Sequence, residues 1–352
     1  QRQMCIRDRA YSDVFTGAYG REDGSGFDEQ LQIHEATGVP GNFHLAGTLI
    51  TAARWDHASG NPVDFNGWLA SGVSNGWAAM LTSAYAQHIM PFVYDAMNDW
   101  AVNIETQMVD QTFGWYPRTA WVPERAWLDP SRYPSSGVLD WIGDDFLPHG
   151  VWAVILDDDV HLAGWDNHQI HTLTNGLRVI PRDGAFTGSI VGGNGQGAVD
   201  ILSGLANSGV GGFRIAVYAE DWEAAAEMGF WADTTPNAKE TYDWFVEKVA
   251  AEPWIQAWRL DDAVSNPDFN GATIAQLNPG TYTEIGGADG YGGGDNGWYT
   301  HWAGWVPYVT GGSDGSCAGG GGSCRDYGQL WTSTADALLA APSNRISEAG
   351  WY

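Results

Sequence analysis

The sequence predicts an α/β fold in which short buried strands alternate with helices. Six short runs are apolar almost throughout instead of alternating with polar residues, and each ends in or is followed by a polar residue. This pattern is expected of parallel strands that are covered on both faces. The predicted strands lie within residues 42–50, 119–124, 150–157, 177–181, 212–220 and 254–260, with helices at 78–104, 200–208 and 236–251.

Repeated strand–helix units form either an α/β barrel or a doubly wound sheet. Acidic residues at the ends of several predicted strands favour the barrel, because its strands converge with their carboxyl ends on one mouth. These acids are Glu124, the run 157–159, Asp183, Glu220 and Asp221. We therefore predict a barrel domain over residues 10–262.

The two ends of the chain differ from this domain in composition and in apolar periodicity. Residues 1–9 show no periodicity and are expected to be a non-native, adapter-derived segment, so they are left out of the fold prediction. Residues 263–352 are predicted to be a truncated C-terminal appendage of helix and loops. Within it, residues 286–328 are dominated by Gly, Asp, Ser, Trp and Tyr, and a helix is expected at 328–341.

The amino-acid composition limits the kinds of molecule that the protein is expected to bind. The chain has 20 Trp and 14 Tyr, whose flat apolar faces suit the stacking of sugar rings. It carries 43 acidic against 16 basic residues, a net charge of −27, which disfavours nucleic acid and anionic membranes as partners. An acidic surface with two lysines also fits a halophilic protein, although an acid-rich cleft would explain it equally well.

The cysteines bear on the cellular compartment. Cys317 and Cys324 flank a flexible Gly-rich loop that a disulfide could close, whereas Cys5 belongs to the excluded segment. A disulfide would indicate an oxidising, extracellular environment. Free thiols and a cytoplasmic location remain the alternative. Two cysteines alone cannot form a zinc site.

Two carboxylates are candidates for acid–base catalysis. Glu124 ends one predicted strand and Asp221 another, 97 positions later in the chain. Retaining glycosidases use two carboxyl groups about 5–5.5 Å apart, one as nucleophile and one as proton donor. Strand-end acids can also bind metal, cap helices or pair with arginine, and Arg118 and Arg125 flank the first candidate.

Four motifs, in order, resemble those of glycoside hydrolase family 57. Trp121-Val-Pro-Glu124 is similar to the nucleophile motif of that family, and Asp221-Trp-Glu223 with Gly229-Phe-Trp231 to its acid/base motif. His44-Leu-Ala-Gly47 resembles its second-strand motif, and His88-Ile-Met-Pro91 its His-any-any-Pro element. The resemblance implies an incomplete (β/α)7 barrel, α-glucan as substrate, and retention of configuration without a metal or other cofactor.

The same resemblance implies roles for individual residues. Glu124 would be the nucleophile and Asp221 the acid/base, with Glu220 turned towards the helices or an arginine. Substrate contacts are expected from His44, His88, Trp121, Asp158, His161, Trp222 and Glu223. We expect the negative charge of Glu124 to raise the pKa of Asp221.

Departures from the family pattern keep alternatives open. The opening His-Gln-Pro motif on the first strand is absent, so this fragment could be inactive, and the glycine expected near Glu223 comes only at Gly229. A non-catalytic carbohydrate-binding homologue is one alternative. A metal-dependent polysaccharide deacetylase is another, with the acids 157–159 and His161, His168 and His171 as ligands.

Overall fold

A computed structural model describes residues 15, 26–88, 90, 95–127, 142–209, 213–227, 235, 237–275 and 277–278. The helices are α1 (Phe27–Thr37), α2 (Gly47–Ala58), α3 (Phe65–Asn75), α4 (Asp95–Phe113), α5 (Gly184–Val191), α6 (Gly195–Ala206), α7 (Trp222–Ala225), α8 (Ala238–Ala251) and α9 (Leu260–Ser265). The strands are β1 (Gly41–Phe43), β2 (Ala78–Met80), β3 (Thr119–Trp121), β4 (Ala153–Asp157), β5 (Ile170–Leu173), β6 (Arg178–Arg182) and β7 (Asn270–Ile274).

The strands are mainly parallel, as the sequence predicts. β1 pairs with β2, and a second sheet has the order β3-β4-β6-β5-β7, in which only β5 and β6 run antiparallel. An isolated bridge between Thr82 and Ala120 links the two sheets. The Thr82 backbone donates to Thr119 at 3.1 Å and accepts from Trp121 at 2.8 Å. The order along the parallel strands is therefore β1, β2, β3, β4, β6.

Both faces of the central strand β4 are buried. Val154 and Leu156 pack into one apolar cluster, whereas Ala153 and Ile155 pack into another on the opposite face. All four side chains are at most 1% exposed. Adjacent residues of a strand point to opposite faces, so a strand covered on both sides needs apolar residues at every position. The unbroken apolar run in the sequence has this cause.

Two predicted strands are not strands. Residues 213–221 form neither helix nor ladder, although the Asp183 backbone donates to the Val217 carbonyl at 3.0 Å. Residues 255–259 likewise have no strand pairing. Here the side chain of Asn42 takes the place of a ladder, accepting from the Leu260 backbone at 2.8 Å and donating to the Trp258 carbonyl at 3.2 Å.

Other boundaries also differ from prediction. The predicted helix 78–104 contains β2 before α4 begins, because burial beside β1 overrides the helix propensity of Ala78-Ala79-Met80. The predicted strand 42–50 ends at Phe43, and α2 begins at Gly47. Strands β5 and β7 were not predicted, and the helix expected at 328–341 lies outside the described residues.

Asp183, one of the predicted strand-end acids, has a structural role. Its side chain accepts from the Phe186 backbone at 2.9 Å and caps the N-terminus of α5, one of the ordinary uses of such an acid. Among the described residues, no helix has the length and apolarity needed to cross a bilayer.

Candidate active site

A cavity of about 620 Å³ lies beside the ends of the strands. Much of its wall is apolar. The polar lining residues include the run from Glu220 to Glu223 and the pair His44 and Gln87. Trp121, the last residue of β3, also lines the cavity. A partly apolar cleft with a few polar groups is the usual form of a ligand-binding site.

Glu124 lies in a strained turn directly after β3. Its backbone has φ 52° and ψ 19°, and Arg125 follows with φ 44°. Consecutive left-handed residues with a β-carbon cost free energy, and such strain is often found at functional sites. The described wall of the cavity does not include Glu124, but its charge reaches both Asp221 and Glu223 and helps to raise their pKa values.

Asp221 has the properties of a group that can exchange a proton near neutral pH. Its pKa is raised to about 7, first by burial, then by Glu220, with Glu223 and Glu124 adding smaller effects and Arg125 opposing them. The side chain is accessible from the cavity, while the protein around it still removes bulk water from the carboxyl. The predicted direction is right, but Glu124 is the smallest of these causes.

Glu220 is engaged by arginine. Its Oε2 accepts from Arg182 Nη2 at 2.6 Å, and its Oε1 accepts from the Asp221 backbone at 3.0 Å. Glu220 therefore turns towards an arginine, as expected, and it borders the cavity together with Asp221.

Glu223 and Trp222 follow in the short helix α7. Burial raises the pKa of Glu223, and the charge of Glu124 raises it further. Trp222 stacks on Phe27 with ring centroids 4.7 Å apart and on Phe43 at 5.0 Å. Its indole Nε1 donates to Gln30 at 2.7 Å, so much of the ring is held in an aromatic cluster. Contact between Trp222 and substrate stays a prediction.

His44 is held by two partners at the wall of the cavity. Its Nε2 bonds Glu105 Oε1 at 2.7 Å, and Gln87 Nε2 donates to its Nδ1 at 2.8 Å. Glu105 is fully buried and also accepts from the Gly47 backbone at 3.3 Å. A sugar hydroxyl would have to displace Gln87 to reach the ring nitrogens. Sequence reasoning missed both Glu105 and Gln87, because neither lies at the end of a predicted strand.

The glycine of the His44-Leu-Ala-Gly47 motif is required by close packing. A β-carbon at Gly47 would overlap the aromatic ring of Tyr85. The motif therefore combines a histidine at the cavity with a glycine that lets the chain pass Tyr85 and start α2.

Three predicted substrate contacts lie elsewhere among the described residues. His88 bonds Asn98 Oδ1 at 2.8 Å, and burial lowers its pKa. Asp158 accepts from Asn167 at 3.0 Å and from the Gly184 backbone at 3.2 Å. His161 is fully buried and accepts from the Asp157 backbone at 3.1 Å. The turn after β4 folds back on its own backbone, which keeps Asp158 and His161 out of the described cavity wall.

The proposed ligands of a metal-dependent deacetylase are committed to protein contacts. Asp157 accepts from Arg125 Nε at 2.9 Å. His168 bonds the Ile215 carbonyl at 3.2 Å, and His171 bonds the Asp166 carbonyl at 2.8 Å. In the part of the chain that the structure describes, no three His, Cys, Asp or Glu side chains are grouped as a metal ion requires.

No protein-family model matches the sequence, and no curated protein matches it significantly. Solved structures do match. A 4-α-glucanotransferase from Thermococcus litoralis superposes with a TM-score of 0.61 at 15% identity, over 82% of this chain and 42% of that enzyme. A family 57 branching enzyme from Thermococcus kodakaraensis gives 0.58 at 12% identity, over 78% and 69%. An α-amylase from Thermotoga maritima gives 0.53 at 9% identity, over 98% and 90%.

At these identities the likeness establishes fold. The match spans less than half of the glucanotransferase and about two thirds of the branching enzyme. The residue order of the motifs and the path of the backbone both resemble those of family 57 enzymes. The chain therefore has the α/β fold of glycoside hydrolase family 57 enzymes.

Proposed function

We propose that this chain is a retaining glycoside hydrolase or transglycosylase acting on α-glucan, with Glu124 as nucleophile and Asp221 as acid/base. The observation that carries the proposal is the raised pKa of Asp221 at the cavity, to which the charge of Glu124 contributes, in a fold shared with α-glucan enzymes. In this proposal the parallel strands and the segments 213–221 and 255–259 together form an incomplete seven-stranded barrel. Residues 263–352 would be its C-terminal appendage.

The reaction would proceed by double displacement. The Glu124 carboxylate attacks the anomeric carbon and forms a glycosyl ester while the glycosidic C–O bond breaks. Asp221 gives its proton to the departing oxygen. Asp221 then takes a proton from water or from a sugar hydroxyl, whose oxygen attacks the same carbon and releases Glu124. Two inversions give net retention.

The charge state of Asp221 supports this role. A group that must first donate and then accept a proton works best when its pKa lies near the working pH. The pKa of Asp221, about 7, meets that requirement, whereas an ordinary aspartate would be ionised before the reaction began.

Trp121 supports a sugar-binding role for the cavity. Its ring lines the cavity and is 8% exposed, and the Arg125 guanidinium lies 5.2 Å from the ring centroid. An indole face held between a buried cation and a cavity is suited to packing against the apolar face of a sugar ring.

The proposal is tested with Glu124→Gln. We expect the variant to lose at least about 10³-fold in kcat on maltooligosaccharides, because the amide keeps the shape but cannot attack. Calorimetry should still detect oligosaccharide binding. Asp262→Asn, a change of the same size at a surface ion pair with Arg259, is the control and should keep its activity.

Two results would contradict this assignment. Undiminished turnover by Glu124→Gln would exclude Glu124 as nucleophile. Binding without turnover in the wild-type chain would instead favour the carbohydrate-binding homologue. Product analysis on soluble starch separates hydrolysis, which yields new reducing ends, from transfer to sugar hydroxyls. NMR of the first anomer released tests retention.

The location of the protein is also a proposal. The pair Cys317 and Cys324, which lies outside the described residues, suggests an extracellular protein if it is oxidised. Mass spectrometry of the non-reduced peptide checks this directly. A peptide mass about 2 Da below that of the dithiol is expected on loss of two hydrogens, and free thiols would remove the argument.

A further inference from the structure

Four charged side chains form a closed ring next to the candidate carboxylates. Asp157 accepts from Arg125 Nε at 2.9 Å and from Arg182 Nη1 at 3.4 Å. Glu220 accepts from Arg182 Nη2 at 2.6 Å and lies 4.0 Å from Arg125 Nη1. Each carboxylate of this charge ring, Arg125–Asp157–Arg182–Glu220, thus lies between two guanidinium groups.

The charge ring is buried and has no net charge. The four side chains are 3% to 15% exposed, with Asp157 the most buried. An unpaired charge in such surroundings would be costly, so removing one member leaves its two neighbours uncompensated. Asp157 and Arg182 are register partners on β4 and β6, which fixes one side of the ring to the sheet.

The ring is joined to both candidate catalytic residues through the chain. Arg125 follows Glu124 directly, and Glu220 precedes Asp221. The Asp221 backbone donates to Glu220 Oε1 at 3.0 Å. Arg182 Nε donates to the Ala219 carbonyl at 2.6 Å. The ring therefore holds both flanks of Glu220 in a segment that has no strand ladder.

Arg125 has a comparable role on the nucleophile side. Its backbone and that of Glu124 are both left-handed, and the turn they form is only three residues long. A strained turn persists when its surroundings hold it in place. The buried guanidinium of Arg125, bonded to Asp157, supplies such a hold.

We propose that this charge ring is a positioning device, which sets the separation and orientation of Glu124 and Asp221 and places Asp221 between opposing charges. The inference rests on the proposed function, because it assigns these two carboxylates the reaction. Ring members act through Glu124 and Asp221 and are positioning residues.

Opposite electrostatic effects on Asp221 make the proposal testable. The charged groups that act on Asp221 are Glu220, Glu223 and Glu124, which raise its pKa, and Arg125, which lowers it. Loss of the Glu220 charge should therefore lower the pKa of Asp221, whereas loss of the Arg125 charge should raise it. Charged pairs that do not act on Asp221 would leave its pKa unchanged.

The first experiment compares Glu220→Gln with the wild-type chain. The amide keeps an oxygen for the Asp221 backbone, so the fold should persist, and the pKa of Asp221 should fall by about 1 pH unit. Since the acid must be protonated, the basic limb of the kcat/KM profile should move to lower pH. At about pH 8 this would reduce kcat/KM about tenfold, with KM little changed.

Two further variants complete the comparison. Arg125→Gln should move the basic limb to higher pH and lower kcat, and Arg125→Lys, which keeps the charge, should restore the position of the limb. Asp166→Asn is the control, because it removes the charge from a paired carboxylate, bonded to Arg214 at 2.6 Å and 2.8 Å, that is not part of the ring.

A readout that needs no turnover separates this inference from the proposed function. The Asp221 carboxyl is titrated by ¹³C NMR in each folded variant, its signal assigned by Asp221→Asn. Shifts of opposite sign in Glu220→Gln and Arg125→Gln support the ring. An unchanged pKa in both, or equal shifts in Asp166→Asn, overturns it. Absence of α-glucan turnover by the wild type would overturn the proposed function, and the titration would still decide on the ring.

Discussion

The two candidate catalytic carboxylates are held by different means. Glu124 follows β3, whose backbone is bonded into a parallel ladder with β4. Asp221 ends the segment 213–221, which has no ladder and is tied to its neighbours by side chains as well as by single backbone hydrogen bonds. Arg182 bonds the Ala219 carbonyl, and the Thr187 hydroxyl accepts from the Ala219 backbone at 3.3 Å.

This difference separates two ways of placing a functional group. A ladder distributes the position of Glu124 over many backbone hydrogen bonds, so no single side chain decides it. The position of Asp221 depends on a few isolated hydrogen bonds, and those made by side chains can each be removed by a single mutation. The segment 213–221 should therefore contribute less than the sheet to global stability, and removing one of its hydrogen bonds should slow the reaction more.

The largest expected effect is on the free energy of unfolding, compared between two Val→Ala substitutions. Val179→Ala, at a fully buried site on β6, should lower the free energy of unfolding by about 2–3 kcal/mol. Val217→Ala, on the segment 213–221 at the cavity wall, should lower it by about 1 kcal/mol because the adjacent space allows collapse. Urea unfolding measures both. Equal losses would mean that the segment is as much part of the core as the sheet.

A smaller effect is expected from two buried threonines. Thr187→Val removes the acceptor for Ala219, and Thr119→Val removes the donor to Asp261 at 2.7 Å at the start of β3. Each should cost about 1 kcal/mol of stability. Only Thr187→Val should lower kcat, by about tenfold, because only that bond helps to place Asp221. A matching loss of kcat in Thr119→Val would remove the contrast between the two regions.

The smallest effect concerns the pH dependence of stability. The pKa of Asp221 rises from 3.8 to about 7 on folding, so the folded state binds the proton more tightly. This contribution is complete below about pH 4 and is lost as pH rises towards about 7. Asp221→Asn should therefore be more stable than the wild type at about pH 8 and not at about pH 4.

The gain at about pH 8 should be less than about 1 kcal/mol, because the carboxyl is accessible from the cavity and partly screened. Thermal unfolding at the two pH values measures it, with Asp262→Asn as a surface control. If the wild type were more stable than Asp221→Asn at about pH 8, the raised pKa of Asp221 would be contradicted.

The predictable part of the fold is the part with strong local signals. The continuous apolar runs predicted β3, β4 and β6, because strands buried on both faces admit few polar residues. β2 could not be found, since Ala78-Ala79-Met80 are residues that a helix accepts equally well. The segment 213–221 was predicted as a strand because its sequence is that of one, while pairing depends on neighbours that the sequence does not show.

The site was predictable to a similar extent. Motif order singled out Glu124 and Asp221, and the cavity contains His44, Trp121, Trp222 and Glu223 as well as Asp221. His88, Asp158 and His161 lie outside the described cavity wall, and a polar residue near a strand end has no preferred direction until the turn after it is known. Arg182 was not predicted although it ends β6, since a cation at a strand end carries no catalytic signal until its acidic partners are known.

The backbone at Glu124 bears on which amino acids this position would accept. At φ 52° a β-carbon is unfavourable, and glycine, followed by asparagine or aspartate, is the residue that such a backbone accommodates best. A sequence chosen for stability alone would place one of these there and would gain on the order of 1 kcal/mol. The backbone conformation at this position therefore does not favour glutamate. A redesign of the chain for thermal tolerance would replace Glu124 early, and would remove the candidate nucleophile in doing so.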